Sequence, residues 1–212
     1  MDTCCEEKVE ELTVLRGKHR NVLITVLVIN AVLFIVEAAA GLLANSTALL
    51  ADSLDMLGDS LVYGFSLYVL WRSAAWKVSA AALKGVIMAL FGMAVLIQAV
   101  YQGIAGLIPP AETMGIVGLF VLLGNGLCFS LLYRHRSDDL NLRSTWLCSR
   151  NDIIANLSVL VAAIGVKVFD ASWPDILVGA AIAVLFLRSA FTVLRESCGE
   201  LRILKSQTNT PV

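Results

Sequence analysis

Charge is what this sequence has least of. Charged side chains make up 16% of its 212 residues, where soluble domains carry about a quarter. Hydrophobic residues fill 58% of the chain, an excess that calls for lipid rather than one large core. What charge there is nearly cancels, to a formal net of -1, so no basic surface is offered to nucleic acid. Histidine is almost missing. His19 and His135 each stand alone among loop residues, where they are expected to be solvated, and no low-complexity metal-binding tract appears. There is no phosphate-binding glycine loop, which removes ATP as a fuel. A cleavable signal peptide is not expected either, because the first twenty residues are polar and the first apolar run is too long for a signal core.

What is present is a series of long apolar runs: Asn21–Leu43, Ser46–Trp71, Val78–Tyr101, Met114–Tyr133, Thr145–Phe169 and Pro174–Leu194. A membrane-crossing helix needs roughly 20 apolar residues, and these runs are too long and too continuous for the alternating strands of a β-barrel. The fold class expected is therefore an all-α membrane protein, a six-transmembrane-helix bundle. Polar punctuation separates the runs, as at Ala44-Asn45-Ser46 and Ile108-Pro109-Pro110. Lys8, Arg16, Lys18 and Arg20 precede the first run, Arg72 and Lys77 follow the second, and Arg134, Arg136 and Arg143 follow the fourth. Arg195, Arg202 and Lys205 follow the sixth, whereas the alternate loops hold little but Lys167 and acidic residues. By the positive-inside rule both termini are expected in the cytoplasm. The expected organisation is a tail over 1–20, a six-helix transmembrane domain over 21–195 and a short tail over 196–212, with no second domain. A bacterial inner membrane is the expected setting.

Five cysteines are spread over the chain, at 4, 5, 128, 148 and 198. With cytoplasmic tails they are expected to be reduced thiols.

Ionisable groups inside a bilayer are costly and call for a reason. The second run holds three in the stretch LLADSLDMLGDS: Asp52, Asp55 and Asp59, at i, i+3 and i+7. On a helix these fall within about 60° of one another. Three carboxylates on one stripe repel unless some are protonated or a cation lies among them. Asp52, nearest the helix start, reads equally well as a water-facing first-turn residue. The fifth run supplies Cys148, Asp152 and Asn156 at successive i, i+4 steps, again on one face. The two helices run antiparallel, so Asp55, Asp59, Cys148 and Asp152 would offer three oxygens and a thiolate to one ion. That set suits a four-coordinate divalent cation of the zinc and cadmium type rather than magnesium or calcium. Without Asp152 nearby, Cys148 would read as a small apolar filler.

The arrangement resembles the cation diffusion facilitator family, which has six helices, a [His/Asp]-x-x-x-Asp pair in the second and a matching pair in the fifth. The pairs here are Asp55/Asp59 and Cys148/Asp152. Cys148 departs from the family's His or Asp and shifts the expected preference toward softer ions. The resemblance covers roughly Arg20 to Arg195 and points to the short subgroup without the cytoplasmic C-terminal domain. It implies a secondary antiporter that exports Zn2+ or Cd2+, with Co2+ or Fe2+ as further cargo, in exchange for protons. Carboxylate and thiolate ligands bind metal only when deprotonated, which is the chemistry such exchange needs. The metal is cargo, no cofactor is expected, and the resemblance implies a homodimer.

Other residues carry weaker signals. Glu37 and Asn30 in the first run would line the same cavity or pair with another helix, the pairing role being the better fit. Asn156 is a candidate to orient Asp152 from one turn away, and Asn125 reads as interhelical glue. Cys4-Cys5 is a vicinal thiol pair that would capture a soft metal, or two unremarkable tail cysteines. Two rival functions remain. Asp52-x-x-Asp55 is similar to the opening of the membrane CDP-alcohol phosphotransferase motif, but Met56 stands where that motif has glycine and no Ala-Arg pair follows. A non-transporting metal sensor working through Cys4-Cys5 is the other.

Overall fold

The computed structural model describes the backbone of residues 2–69, 74–134 and 142–208, with side chains described within 21–65, 76–131 and 152–200. Six helices follow in order: α1 Asp2–Ala44, α2 Thr47–Val69, α3 Ala74–Ala105, α4 Ala111–Arg134, α5 Leu142–Phe169 and α6 Trp173–Thr208. Among the described residues there is no strand. The six-helix bundle expected from the apolar runs is the fold observed.

The helices outrun the apolar segments at several ends. α1 begins at Asp2 rather than Asn21, and α6 continues to Thr208 rather than stopping near Leu194. The extensions are polar but rich in good helix formers, as in EEKVEEL and RESCGELRILK, and hold no proline. Polarity marks where apolar surface ends, not where a helix must.

Three tight connections gather at one face of the bundle, and each begins with a left-handed residue. Asn45 (φ 52°), Gly106 (φ 64°) and Asp170 (φ 48°) follow the last residues of α1, α3 and α5. After α1, the Ser46 amide donates to Gly41 O at 2.9 Å and the Asn45 amide to Leu42 O at 3.3 Å. That pair of bonds is a Schellman cap, which uses up orphan carbonyls and turns the chain back within two residues. The Leu107 amide repeats the outer bond to Gln102 O after α3.

Five helices contain segments long and apolar enough to cross a membrane: Ile24–Ala44, Val78–Ala105, Ala111–Leu131, Asp152–Phe169 and Trp173–Glu200. α2 is the exception because of its three aspartates, and its position explains how it carries them. Every residue from Ser46 to Leu54 is buried. Ala48, Leu49, Leu50, Ala51 and Leu54 form the middle of the main core, packed by Met88 and Val95 of α3, Val159 and Ala163 of α5, and Ala183 and Phe186 of α6. The outer surface is as apolar as the inside, with Ile35, Leu43, Leu90, Ile104, Ile116, Leu123, Val161 and Val168 all exposed. Such a surface is stable only against lipid.

α3 packs most extensively on α6, and α1 on α2. Gly85 and Gly92, seven residues apart on α3, leave room for Leu194 and Leu187 of α6; a Cβ at either would come within 2.9 and 3.0 Å of those side chains. Small residues that admit a neighbour's knobs are the usual means of close helix packing in lipid.

Candidate functional site

The acidic stripe of α2 lies on the inner side of the bundle, with a burial order that reverses the expectation. Asp52 is 0% exposed, while Asp55 and Asp59 further along are half-buried. The water-facing reading of Asp52 therefore fails: the helix starts inside the bundle, so nearness to its first turn brings no water. Glu37 of α1, also 0% exposed, stands close enough to interact electrostatically with Asp52 and Asp55, and Asp52 interacts in turn with Asp152 of α5. Carboxyl groups from three helices thus converge on one region.

The carboxyl oxygens of Glu37 and Asp52 are buried where no donor from the rest of the protein reaches them, and the two groups have only each other as partners. Native proteins rarely leave buried polar groups so, because each costs about 1–3 kcal/mol, more if charged. Asn156, one turn beyond Asp152 and 0% exposed, adds another such atom. Its Nδ2 donates to the main-chain oxygen of Asp152 at 2.9 Å, which leaves Oδ1 buried without a partner. The amide is therefore fixed by the backbone of Asp152 and its oxygen acceptor is unused.

The four expected ligands are only partly placed. Asp55 and Asp59 share one stripe of α2, and Asp152 comes from α5, which packs on α2. Cys148, Cys4 and Cys5 lie outside the residues whose side chains are described. Among the described residues no three His, Cys, Asp or Glu side chains close around one point. Asn30 pairs with another helix as expected, donating to Cys128 Sγ at 3.6 Å and to Val26 O at 3.0 Å. Glu37 pairs across helices as well, with the Asp52 carboxyl of α2, and so belongs to the acidic region. Asn125, expected to bridge helices, has its Nδ2 buried without a partner.

A second buried carboxylate went unrecognised in the sequence. Asp175, in the first turn of α6, is 0% exposed and reaches the start of α2. Its Oδ1 accepts from Ser46 Oγ at 2.6 Å and the Ala48 amide at 3.1 Å. Its Oδ2 accepts from the Thr47 amide at 2.8 Å and Gln102 Nε2 of α3 at 2.9 Å. Thr47 Oγ1 donates to Gln102 Oε1, and Ser46 Oγ also accepts from the Leu49 amide at 3.2 Å. An acidic residue just after Trp173-Pro174 looks like a local helix-start residue, and no spacing rule links it to Ser46, 129 residues earlier. Only the polar pair Ser46-Thr47 before an apolar run hinted at a cap.

A helical bundle with lipid-facing flanks and carboxyl groups buried at its middle fits a membrane protein whose interior has a function. The chain belongs to the cation efflux family: the cation efflux transmembrane domain matches residues 23–201. It is accordingly a multi-pass integral membrane protein of a transporter family. It is 29% identical over 112 residues to the zinc transporter ZitB of Yersinia pestis, a match spanning 50% of this chain and 36% of the relative. ZitB of Yersinia pseudotuberculosis serotype I (strain IP32953) is 28% identical over the same shares. The chain thus aligns with little more than a third of the length of these curated relatives.

Proposed function

We propose that this chain exports divalent heavy-metal cations, Zn2+ and Cd2+ foremost, from the cytoplasm in exchange for protons. The observation that carries the reading is the buried carboxyl pair of Glu37 and Asp52, which no donor from the rest of the protein reaches, beside Asp55 and Asp152. Groups left unsatisfied in a packed interior are stabilised by whatever passes between them, here a cation or a proton. Asp55, Asp59, Asp152 and Cys148 are the proposed ligands, with Asp52, Glu37 and Asn156 as the polar surroundings that compensate charge. Zinc as cargo draws further support from the relatives' name. Deprotonated ligands bind metal and protonated ones release it, so exposure of the site to one side and then the other exchanges the two.

We place both termini in the cytoplasm, on the distribution of basic residues, in a bacterial inner membrane. With α2 crossing alongside the five apolar spans, the two ends of the chain would lie on one side. The full chain reconstituted in inside-out vesicles tests the function. Zinc and cadmium should accumulate when a pH gradient is imposed, and an ionophore that collapses the gradient should stop uphill movement. Uphill accumulation persisting at zero gradient would rule out proton exchange. Absence of flux for every divalent ion would favour the non-transporting sensor.

A further inference from the structure

We propose, on the transporter reading above, that Asp175 is a positioning residue for transport: its carboxylate latches the start of α2 to α3 and α6, sealing one end of the bundle, and the latch opens when the acidic stripe faces that side.

The latch is built from three helices and leaves no polar atom of the carboxylate idle. Asp175 of α6 accepts from two hydroxyl or amide side chains and from two main-chain amides of α2, and Gln102 of α3 uses both ends of its amide within the same cluster. Ser46, Thr47, Gln102 and Asp175 are all 0% exposed. The first amides of a helix lack intrahelical acceptors and carry the positive end of its dipole. Ser46 already serves the Leu49 amide as a local cap. Asp175 serves the two that Ser46 leaves, from a distant part of the chain. α6 comes in close to do so: a Cβ on Gly179 would lie 2.5 Å from the carbonyl carbon of Thr47.

Burial along α2 shows what the latch closes. Residues from Ser46 to Leu54 are all buried, whereas beyond them Asp55, Leu57, Asp59, Ser60 and Leu61 are half-buried while Met56, Gly58, Val62 and Tyr63 stay buried. The stripe is therefore shut off at the Asp175 end and more open at the other. A polar seal differs from an apolar one in that water can replace its hydrogen bonds as it parts. The two-residue turn before α2, capped at Ser46 and Asn45, leaves the helix start little freedom to move unless the latch releases it.

Ala48→Cys puts a thiol on a residue that is 0% exposed beside the latch, and Leu61→Cys puts one at the half-buried end. Each is labelled in proteoliposomes with a membrane-impermeant maleimide, added to both faces and counted over labelling of the parent chain. Asp175→Asn should speed labelling of Ala48→Cys about tenfold, as expected when charge-assisted bonds are lost, and leave Leu61→Cys unchanged. Asp175→Glu, which keeps the carboxylate, should restore most of the protection. Gln102→Leu cuts the tie to α3 while sparing the cap, and should give a smaller rise at Ala48→Cys alone. It decides the matter if Asp175→Asn does not fold. Unchanged labelling at Ala48→Cys, or an equal rise at both probes, would overturn the latch. Labelling reads the opening whatever the cargo, so a failed metal-flux assay would sink the transport reading without imitating either result.

Discussion

Asp52 and Asp175 are both aspartates with no exposed surface, and their surroundings are opposite. Four donors surround the carboxylate of Asp175, whereas Asp52 has only the Glu37 carboxyl for a partner. The first carboxylate is fully satisfied by the fold, and the second is not. Asp55→Ala, Asp59→Ala and Asp152→Ala are expected to abolish metal flux while the protein still inserts and elutes as a folded species. Wild-type flux in Asp59→Ala or Asp152→Ala would remove the assigned site. Asn156→Ala should lower flux or metal affinity by about 10–100-fold, the usual effect of losing a residue that orients a ligand. Cys148 calls for a paired comparison. If its thiolate binds metal, Cys148→Ser should lose cadmium transport more than manganese or cobalt transport. Equal cadmium flux in Cys148→Ala, Cys148→Ser and the parent would take the thiol out of the mechanism.

Helices in this bundle meet through glycines whose neighbours differ sharply. Gly179 leaves no room, with the Thr47 backbone 2.5 Å from the place a Cβ would take, while Gly115 of α4 has nothing within 4 Å. Gly179→Val should destabilise the protein by about 1–3 kcal/mol, the range for overpacking a close contact, and lower its thermal midpoint in detergent. Gly115→Ala should be neutral or stabilising by up to about 1 kcal/mol, since alanine is the better helix former. Matching midpoints for Gly179→Val and the parent would contradict the close approach of α6 to α2. The existence of each helix was legible as an apolar run, but its ends were not. Helix formers carry α1 and α6 past the last apolar residue, whereas capping stops α1 sharply at Ala44.

At the scale of the whole molecule, the oligomeric state rests on family resemblance, and a homodimer is the expected form. Native mass spectrometry in a mild detergent should show twice the 22.8 kDa chain mass; monomer alone would count against it. Orientation has its own check. A protease-accessible tag at either terminus should be cleaved in inside-out vesicles and protected in right-side-out cells, and the reverse would invert the proposed direction of export.

Amino-acid order by itself determined that this is a lipid-embedded helical bundle, because apolar runs of membrane-crossing length have no other stable outcome. It also placed Asp55, Asp59 and Asp152 as residues whose burial needed a purpose, since periodicity sets which side chains share a face. The tertiary structure decided which buried carboxyls are satisfied. α2 lies within the bundle, so Asp52 near its start is dry and faces Glu37 of another helix. Asp175, a first-turn residue by its local sequence, was drawn instead to the open amides of α2. Helical spacing encodes a face but not the neighbour opposite it. Partners 129 residues apart come together only when packing brings one helix's donors to another's acceptors.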